Sequence, residues 1–311
     1  MRLVLAPMEG LTDPPMRRLL TQIGQYDWCV SEFIRVTDKL LPPHVIFGFC
    51  PELQQGGKTN AGTPLHVQFL GNDPIALADN AAQAAALGAP AIDLNFGCPA
   101  KTVNKHRGGA VLLDEPELIY QIVSAVRQAV PCETPVSAKM RLGYLDEAHT
   151  LDNARAIEAA GAAWLTIHAR TKADAYRPPA FWHKIAPVKA AVGINIIANG
   201  EIWTPEDAAQ CQIESGCVDV MVGRGAVTRP DLVNRIRGGH ALSWPELLDL
   251  QNQFLLVESK TDAGLVGRYK QWLGMLTQGY PQAQQLWDQV KRVKALDELK
   301  FILQAQIDVQ K

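Results

Sequence analysis

Short apolar runs recur along the chain and alternate with longer segments in which apolar residues repeat at helical spacing. Aliphatic and β-branched residues dominate the runs, a pattern typical of strands that are buried on both faces. The intervening segments, such as 74–87, 115–130 and 152–160, end next to a glycine or proline, as helices commonly do. The eight predicted strands cover residues 3–6, 28–31, 65–70, 91–94, 136–140, 164–168, 194–198 and 218–222.

Eight alternating strand and helix units predict a parallel sheet that helices cover, and we expect it to close into a (β/α)8 TIM barrel. A doubly wound open sheet is the alternative, although no Gly-x-Gly-x-x-Gly fingerprint follows a strand. The Gly238-Gly239 pair and the helix start at Ser243 predict a boundary near residue 240. We therefore expect a catalytic barrel over 1–240 and a small helical bundle over 241–311, with helices at 244–259, 265–278, 281–293 and 295–304.

Composition narrows the class of protein. The chain has 311 residues, of which 47% are apolar and 20% charged, which suits a folded barrel with an appendage rather than a disordered chain. No apolar stretch is long enough for a membrane span or a signal peptide, so we expect a cytoplasmic protein. The six cysteines lack metal or disulfide spacing, so we expect free thiols and no metal. A net charge of −2 gives no global case for nucleic acid, and any RNA contact must rely on local patches.

The residues that follow the predicted strands carry the candidate chemistry, because barrel enzymes place catalytic groups at the C-terminal ends of strands. Glycine-rich loops after the last two strands commonly bind phosphate through backbone N–H groups, which predicts a phosphorylated cofactor or substrate. The residues at these ends are Pro7, Met8, Glu9, Glu32, Gln68, Asn95, Cys98, Lys139, Arg141, His168, Arg170, Asn199, Gly200, Gly223 and Arg224.

Three of these side chains leave alternatives open. Lys139 can form a Schiff base, place a positive charge beside a developing anion, or pair with a buried carboxylate. His168 can orient a ring or a phosphate, or be an ordinary core histidine. Cys98 lies in a Gly-Cys-Pro turn and is largely protonated at neutral pH, so it can act as an acid, while an inert thiol is the alternative.

Taken together, these motifs resemble those of the dihydrouridine synthases. The length, the segment 31–36 (SEFIRV) and the helical tail resemble most the bacterial C-type members, whose target is U16 of the tRNA D-loop. Phe96 departs from the smaller residue that is common there. The matching segments occur in family order at 6–10 (APMEG), 93–99 (DLNFGCP), 139–143 (KMRLG), 168–171 (HART), 197–201 (IANGE) and 222–226 (VGRGA).

The resemblance implies bound FMN and NADPH as a transient reductant. It places Pro7, Met8 and Glu9 along the flavin ring. Gln68 and Lys139 would lie at the polar edge of the ring, with His168 nearby. The ribityl phosphate would lie against Asn199, Gly200, Glu201, Gly223 and Arg224. Hydride transfer to C6 of uracil and protonation of C5 by Cys98 would then produce dihydrouridine.

The resemblance also implies that tRNA is the partner, without a membrane or an obligatory protein partner, and we expect a monomer. A stacked uridine must be turned out into the pocket. Asn95, Arg141, Tyr176 and Arg177 are the candidates to surround it, and Arg35 is the candidate to orient the RNA. The tail cations Arg268, Lys270, Lys291, Arg292 and Lys294 are candidates for phosphate contacts, although such clusters are also typical of solvated helix faces.

Three other functions share parts of this pattern. A Schiff-base aldolase would use Lys139 and the phosphate loops, and a flavin enzyme acting on a small pyrimidine, like dihydroorotate dehydrogenase, would use the same barrel. A tRNA-binding protein without activity would need only the tail.

Overall fold

Eight parallel strands form a closed barrel in the computed structural model, which describes residues 1–256 and 261–309. The strand that follows β2, the two-residue β3 (Ile34–Arg35), pairs only with the end of β4 and is too short to leave a sequence pattern. The barrel strands are β1 (Leu3–Leu5), β2 (Trp28–Val30), β4 (Leu65–Leu70), β5 (Ala91–Phe96), β6 (Val136–Gly143), β7 (Trp164–Thr171), β8 (Asn195–Asn199) and β9 (Asp219–Val222). Their order is β2-β1-β9-β8-β7-β6-β5-β4, and pairing of β2 with β4 completes the ring. The predicted TIM barrel is confirmed, and the open-sheet alternative is wrong.

Helices follow the strands, and six of the barrel helices begin at a proline or a capping side chain. The Asp73 carboxylate accepts the N–H groups of Ile75 and Ala76, and Thr204 forms a capping box with Asp207. The barrel helices are α1 (Pro14–Ile23), α2 (Pro43–Phe49), α3 (Pro74–Ala86), α4 (Lys101–Lys105), α5 (Pro116–Ala129), α6 (Thr150–Ala159), α7 (Ala186–Ala191), α8 (Pro205–Ser215), α9 (Arg224–Thr228) and α10 (Leu232–Ile236). The six that begin in this way are α1, α2, α3, α5, α7 and α8.

Within residues 241–256 and 261–309, four further helices form the C-terminal segment, here called the helical tail, and they agree with the predicted ones. The tail helices are α11 (Trp244–Leu255), α12 (Asp262–Leu276), α13 (Pro281–Val290) and α14 (Leu296–Val309). The last part of the predicted helix 244–259 lies outside the described residues. The tail packs on the barrel, where the Trp272 indole N–H donates to the Val227 carbonyl at 3.1 Å. Within residues 1–256 and 261–309, no helix is long and apolar enough to cross a membrane.

The alternation of side chains along the strands separates two apolar layers. Residues such as Leu3 and Leu5 face the helices, whereas Val4 and Val30 face the barrel interior. At the N-terminal end the rings of Trp28, His66 and Trp164 fill the interior, with centroids 5.1–5.4 Å apart. Burial there lowers the pKa of His66 to about 3, so the imidazole is neutral. Polar side chains gather at the other end.

Candidate active site

Strand register brings the candidate side chains together at the C-terminal end of the barrel. Asn95 of β5 pairs with Lys139 of β6, Arg141 pairs with His168 of β7, and His168 pairs with Asn199 of β8. Positions two residues apart on a strand share a face, so these side chains enter one space. They line a pocket of about 530 Å3, a volume typical of ligand-binding sites.

Most of the predicted site residues line this pocket. Those from β1, β5 and β6 are Pro7, Met8, Glu9, Asn95, Cys98, Lys139 and Arg141, and those from the later strands and loops are His168, Tyr176, Asn199, Gly200, Glu201, Gly223 and Arg224. Sequence reasoning missed several lining residues, namely Leu11, Phe33, Ile202, Trp203 and Met221. Apolar residues leave no chemical signal in a sequence, and only Met221, on the inward face of β9, could have been found from strand alternation.

Gln68 does not line the pocket but lies fully buried at its base. Its amide N–H donates to the Asp93 carboxylate at 2.6 Å, and its carbonyl accepts from the Asn95 amide at 2.8 Å. The Asn95 carbonyl in turn accepts the backbone N–H groups of Gly97 and Cys98, each at 2.9 Å. Gln68 therefore orients Asn95, and Asn95 shapes the turn that carries Cys98.

Hydrogen bonds to the backbone carbonyl of Cys98 hold this residue in the pocket wall. Its carbonyl accepts from the Asn104 amide at 2.9 Å and from the Ala110 N–H at 3.1 Å. Burial raises the pKa of the Cys98 thiol above its ordinary value, and this effect outweighs the opposing contributions of the Ala100 backbone N–H and the Arg141 guanidinium. The thiol is therefore protonated at neutral pH and can donate a proton.

Lys139 and His168 face the same space from neighbouring strands. The Lys139 amine donates to the Asn199 carbonyl oxygen at 3.2 Å, and burial lowers its pKa to about 8. Burial also lowers the pKa of His168 well below its ordinary value, and the cations Lys139 and Arg141 act in the same direction. His168 is thus neutral, and its buried Nε2 has no partner in the described part of the chain. An unpaired buried nitrogen indicates a site for a polar ligand atom.

Two arginines share one carboxylate beside β7 and the loops after β8 and β9. Glu201 accepts from Arg224 at 2.6 Å and from the fully buried Arg170 at 3.2 Å. The Trp203 indole N–H also donates to it, at 3.3 Å. Sequence reasoning noted Arg170 at a strand end without assigning it a role. With Lys139 and Arg141, these arginines make the pocket attractive to an anion.

Tyr176 joins Arg141 to Arg224 through stacking. The Arg141 and Arg224 guanidinium carbons lie 5.2 and 5.0 Å from its ring centroid, and Arg224 also lies 5.1 Å from a Trp203 ring. Such contacts fix the planes of the guanidinium groups. Arg141 is held further by three backbone carbonyls, those of Gly97, Thr171 and Ala175.

The remaining predicted RNA contacts lie outside the pocket. Arg35 is exposed and lines a separate polar cavity of about 310 Å3. Arg177 donates to the carbonyls of Ala173 and Asp174 in its own loop. The five tail cations are placed differently. Arg268 bonds to the loop after β1, and Lys270 bonds to the carbonyls of Lys291 and Val293. Lys291 pairs with Asp288 at 2.7 Å, and Arg292 and Lys294 are exposed.

The model of the dihydrouridine synthase (Dus) family matches residues 4–307, which is nearly the whole chain. The chain belongs to the dihydrouridine synthase family. Its members are flavin-dependent oxidoreductases that form dihydrouridine in tRNA. Membership decides against the aldolase, the small-pyrimidine enzyme and the RNA-binding protein without activity.

Two bacterial relatives show how closely the chain follows the family. A protein of Pseudomonas syringae pv. tomato named tRNA-dihydrouridine(16) synthase is 49% identical over 311 residues, covering 97% of this chain and 98% of that protein. A protein of Haemophilus influenzae with the same name is 46% identical over 307 residues, covering 97% of this chain and 99% of that protein.

Solved structures of two reductases share the fold. 2-Naphthoyl-CoA reductase aligns with a TM-score of 0.60 at 12% identity, covering 76% of this chain and 50% of that one. Morphinone reductase in complex with tetrahydroNAD aligns with a TM-score of 0.54 at 14% identity, covering 78% of this chain and 88% of that one. At such low identity the likeness concerns the barrel alone.

Proposed function

We propose that this enzyme reduces uridine 16 of the tRNA D-loop, with FMN as its bound flavin and NADPH as the reductant. The observation that carries the proposal is a protonated thiol, Cys98, in the same pocket as Lys139 and the paired arginines. The two relatives named as U16 enzymes, each matching almost end to end, support the target position.

The pocket residues fit FMN. The phosphate end has the arginines on Glu201 and a tight approach of two loops, since a Cβ on Gly225 would lie 2.1 Å from the Ile202 carbonyl oxygen. Gly200, with a φ of 122°, has a backbone conformation that side chains rarely adopt. At the ring end, the His168 Nε2 needs a polar partner, and Lys139 supplies a positive charge.

FMN, when bound, supplies the hydride for C6 of uracil after NADPH has reduced it. Cys98 would hold the proton that C5 receives, because its raised pKa keeps the thiol protonated. Arg141 donates to the Gly97 carbonyl at 2.9 Å, which holds the turn, and it would offer a cation to the uracil in the same pocket as Cys98. One N–H of the Asn95 amide donates to Gln68, and its carbonyl accepts from the turn that carries Cys98. The second amide N–H can therefore donate to the edge of the base.

The substrate must leave the stack of the D-loop to reach this pocket. Tyr176 is half exposed at the rim and stacks on two arginines, so a turned-out nucleotide would meet an aromatic face and fixed cations. We assign Arg35, Arg177 and the exposed tail cations Arg292 and Lys294 to the RNA body, with 241–311 as the tRNA-binding segment. Phosphate contacts of this kind weaken as salt rises.

Replacement of the acid tests the proposal. In Cys98→Ala we expect reduction of tRNA uridine to fall by at least about 100-fold, as for loss of a general acid. The bound flavin and its bleaching by NADPH should be unchanged, because the thiol adds no charge to the site. Cys132→Ala is the matched control, since Cys132 is an exposed free thiol outside the pocket.

Two results would contradict this proposal. Near-normal dihydrouridine formation by Cys98→Ala would exclude the thiol as the proton donor. Mapping of dihydrouridine in tRNA from cells that lack the gene checks the position, and retention of dihydrouridine at position 16 would exclude the proposed target.

A further inference from the structure

The loop between β1 and α1 forms one wall of the pocket, with Met8 and Leu11 in the lining. Its polar groups are held from two neighbouring elements. The Gly10 N–H donates to the Glu32 carboxylate at 2.5 Å, and the buried Arg17 donates to the Thr12 carbonyl at 2.9 Å. These contacts hold the loop at Gly10 and at Thr12, on either side of Leu11.

A third contact to this loop comes from the helical tail. Arg268 of α12 donates through Nε to the Asp13 carboxylate at 2.8 Å and through Nη2 to the Leu11 carbonyl at 3.1 Å. Its Nη1 donates to Gln271 on the same helix. All three guanidinium nitrogens are thus engaged within the protein. The side chains of Arg268 and Asp13 are each 23% exposed, so the pair is partly shielded from solvent.

The same face of α12 also contacts the helix that begins at the phosphate loop. Trp272 lies four residues after Arg268, one turn along the helix, and is fully buried. Its indole N–H donates to the Val227 carbonyl in α9, the short helix that begins with Arg224 of the phosphate loop. One tail helix therefore braces both the loop at the ring end and the helix at the phosphate end.

We propose that Arg268 is a positioning residue for the flavin pocket, acting through Leu11 and Asp13. This inference rests on the proposed use of FMN. It gives Arg268 a role other than the phosphate contact that the sequence predicts, and it makes α12 part of the flavin site rather than only a surface for RNA.

The expected rise in the Kd of FMN follows from the backbone order that the loop loses without Arg268. Without Arg268, the backbone around Leu11 loses its tie to the tail and must be ordered again when flavin binds. Ordering about one backbone residue corresponds to a rise of about tenfold in the Kd of FMN, which is about 1.4 kcal/mol. Asp13→Asn should act in the same direction, because asparagine keeps the helix cap while the charge that holds Arg268 is lost.

The experiment titrates FMN into flavin-free protein and follows the quenching of flavin fluorescence. The variants are Arg268→Gln, Asp13→Asn and the double substitution, with Arg237→Gln as the matched control. Arg237 pairs with Asp27 at 2.6 Å, with side chains 28% and 34% exposed, but at the N-terminal end of the barrel. We expect Kd to rise about tenfold in Arg268→Gln, to rise no further in the double variant, and to stay unchanged in the control. Arg268→Lys, which can reach only one of the two oxygens, should be intermediate and replaces the glutamine variant if that fails to fold.

Each outcome decides the inference. A Kd equal to that of the wild type in both Arg268 variants would overturn it, even if tRNA binding fell, because Arg268 would then be an RNA contact only. An equal rise in Arg237→Gln would also overturn it, since the effect would reflect general destabilisation. Failure of the wild type to bind FMN would overturn the proposed function together with this inference.

Discussion

Replacement of Glu201 by glutamine tests the two-arginine arrangement most directly. The substitution keeps the shape of the side chain but removes the negative charge that Arg170 and Arg224 share. We expect the flavin-free protein to lose stability, and we expect FMN to restore more of it than in the wild type. The reason is that the phosphate of FMN would replace the missing charge.

The expected loss of stability in Glu201→Gln follows from the burial of the charged groups. Arg170 is fully buried and the Glu201 side chain is 16% exposed, so removal of the carboxylate leaves a buried guanidinium without a counter-charge. Loss of one partner of a buried pair costs about 3–5 kcal/mol, and the remaining amide hydrogen bond favours the lower end of that range. Arg224 is 33% exposed and adds little, because solvent screens it. A loss of about 3 kcal/mol corresponds to a fall in Tm of roughly 6 °C.

The assay is thermal unfolding of flavin-free protein alone, with FMN and with riboflavin, which lacks the phosphate. Ligand at 100 times its Kd adds about 2.7 kcal/mol of stability, and each tenfold gain in affinity adds about 1.4 kcal/mol. Glu201→Gln should therefore show a larger shift of Tm with FMN than the wild type, and no larger shift with riboflavin. An equal or smaller FMN shift in the variant would refute the assignment of the phosphate to these arginines.

Two further predictions concern buried polar groups. The pKa of Lys139 is lowered to about 8, below its value in the unfolded chain, so the folded state carries an unfavourable buried charge below about pH 8. The free energy of unfolding of the flavin-free protein, measured in urea, should therefore rise relative to that of Lys139→Met between about pH 8 and 10; a parallel pH dependence of the two proteins would contradict this. Gln68→Leu removes one hydrogen bond from the Asp93 carboxylate, which keeps the Ser137 hydroxyl, and leaves the Asn95 amide N–H without its partner, so the free energy of unfolding should fall by about 2–3 kcal/mol in urea denaturation. A loss below about 0.5 kcal/mol, as for an ordinary surface substitution, would show that other groups replace these bonds.

Much of the fold and of the pocket could be predicted because the signals are local. Apolar runs between helical segments indicate strands wherever they occur, and proline and capping residues mark helix starts. Since every strand of a parallel barrel points the same way, the residues after the runs necessarily meet at one end. This reasoning found Cys98, Lys139 and His168 without knowledge of their partners, and the family resemblance added Glu201.

The partners themselves could not be predicted. The family resemblance implies that Gln68 contacts the flavin, whereas in the structure its amide bonds to Asp93 and Asn95 beneath the pocket. The partners of Arg268 could not be predicted either, because the sequence indicates only a surface cation on a tail helix. In the structure its guanidinium bonds to Asp13, 255 positions earlier in the chain.

The amino-acid sequence by itself thus determined the strands, the helices and the residue types at the mouth of the barrel, because each depends on a few neighbouring positions. Only the tertiary structure decided which charges pair, with Glu201 serving two arginines and Arg268 joining the tail to the loop after β1. Such pairs join residues that are distant in sequence, and their geometry exists only after the barrel has closed and the tail has packed against it.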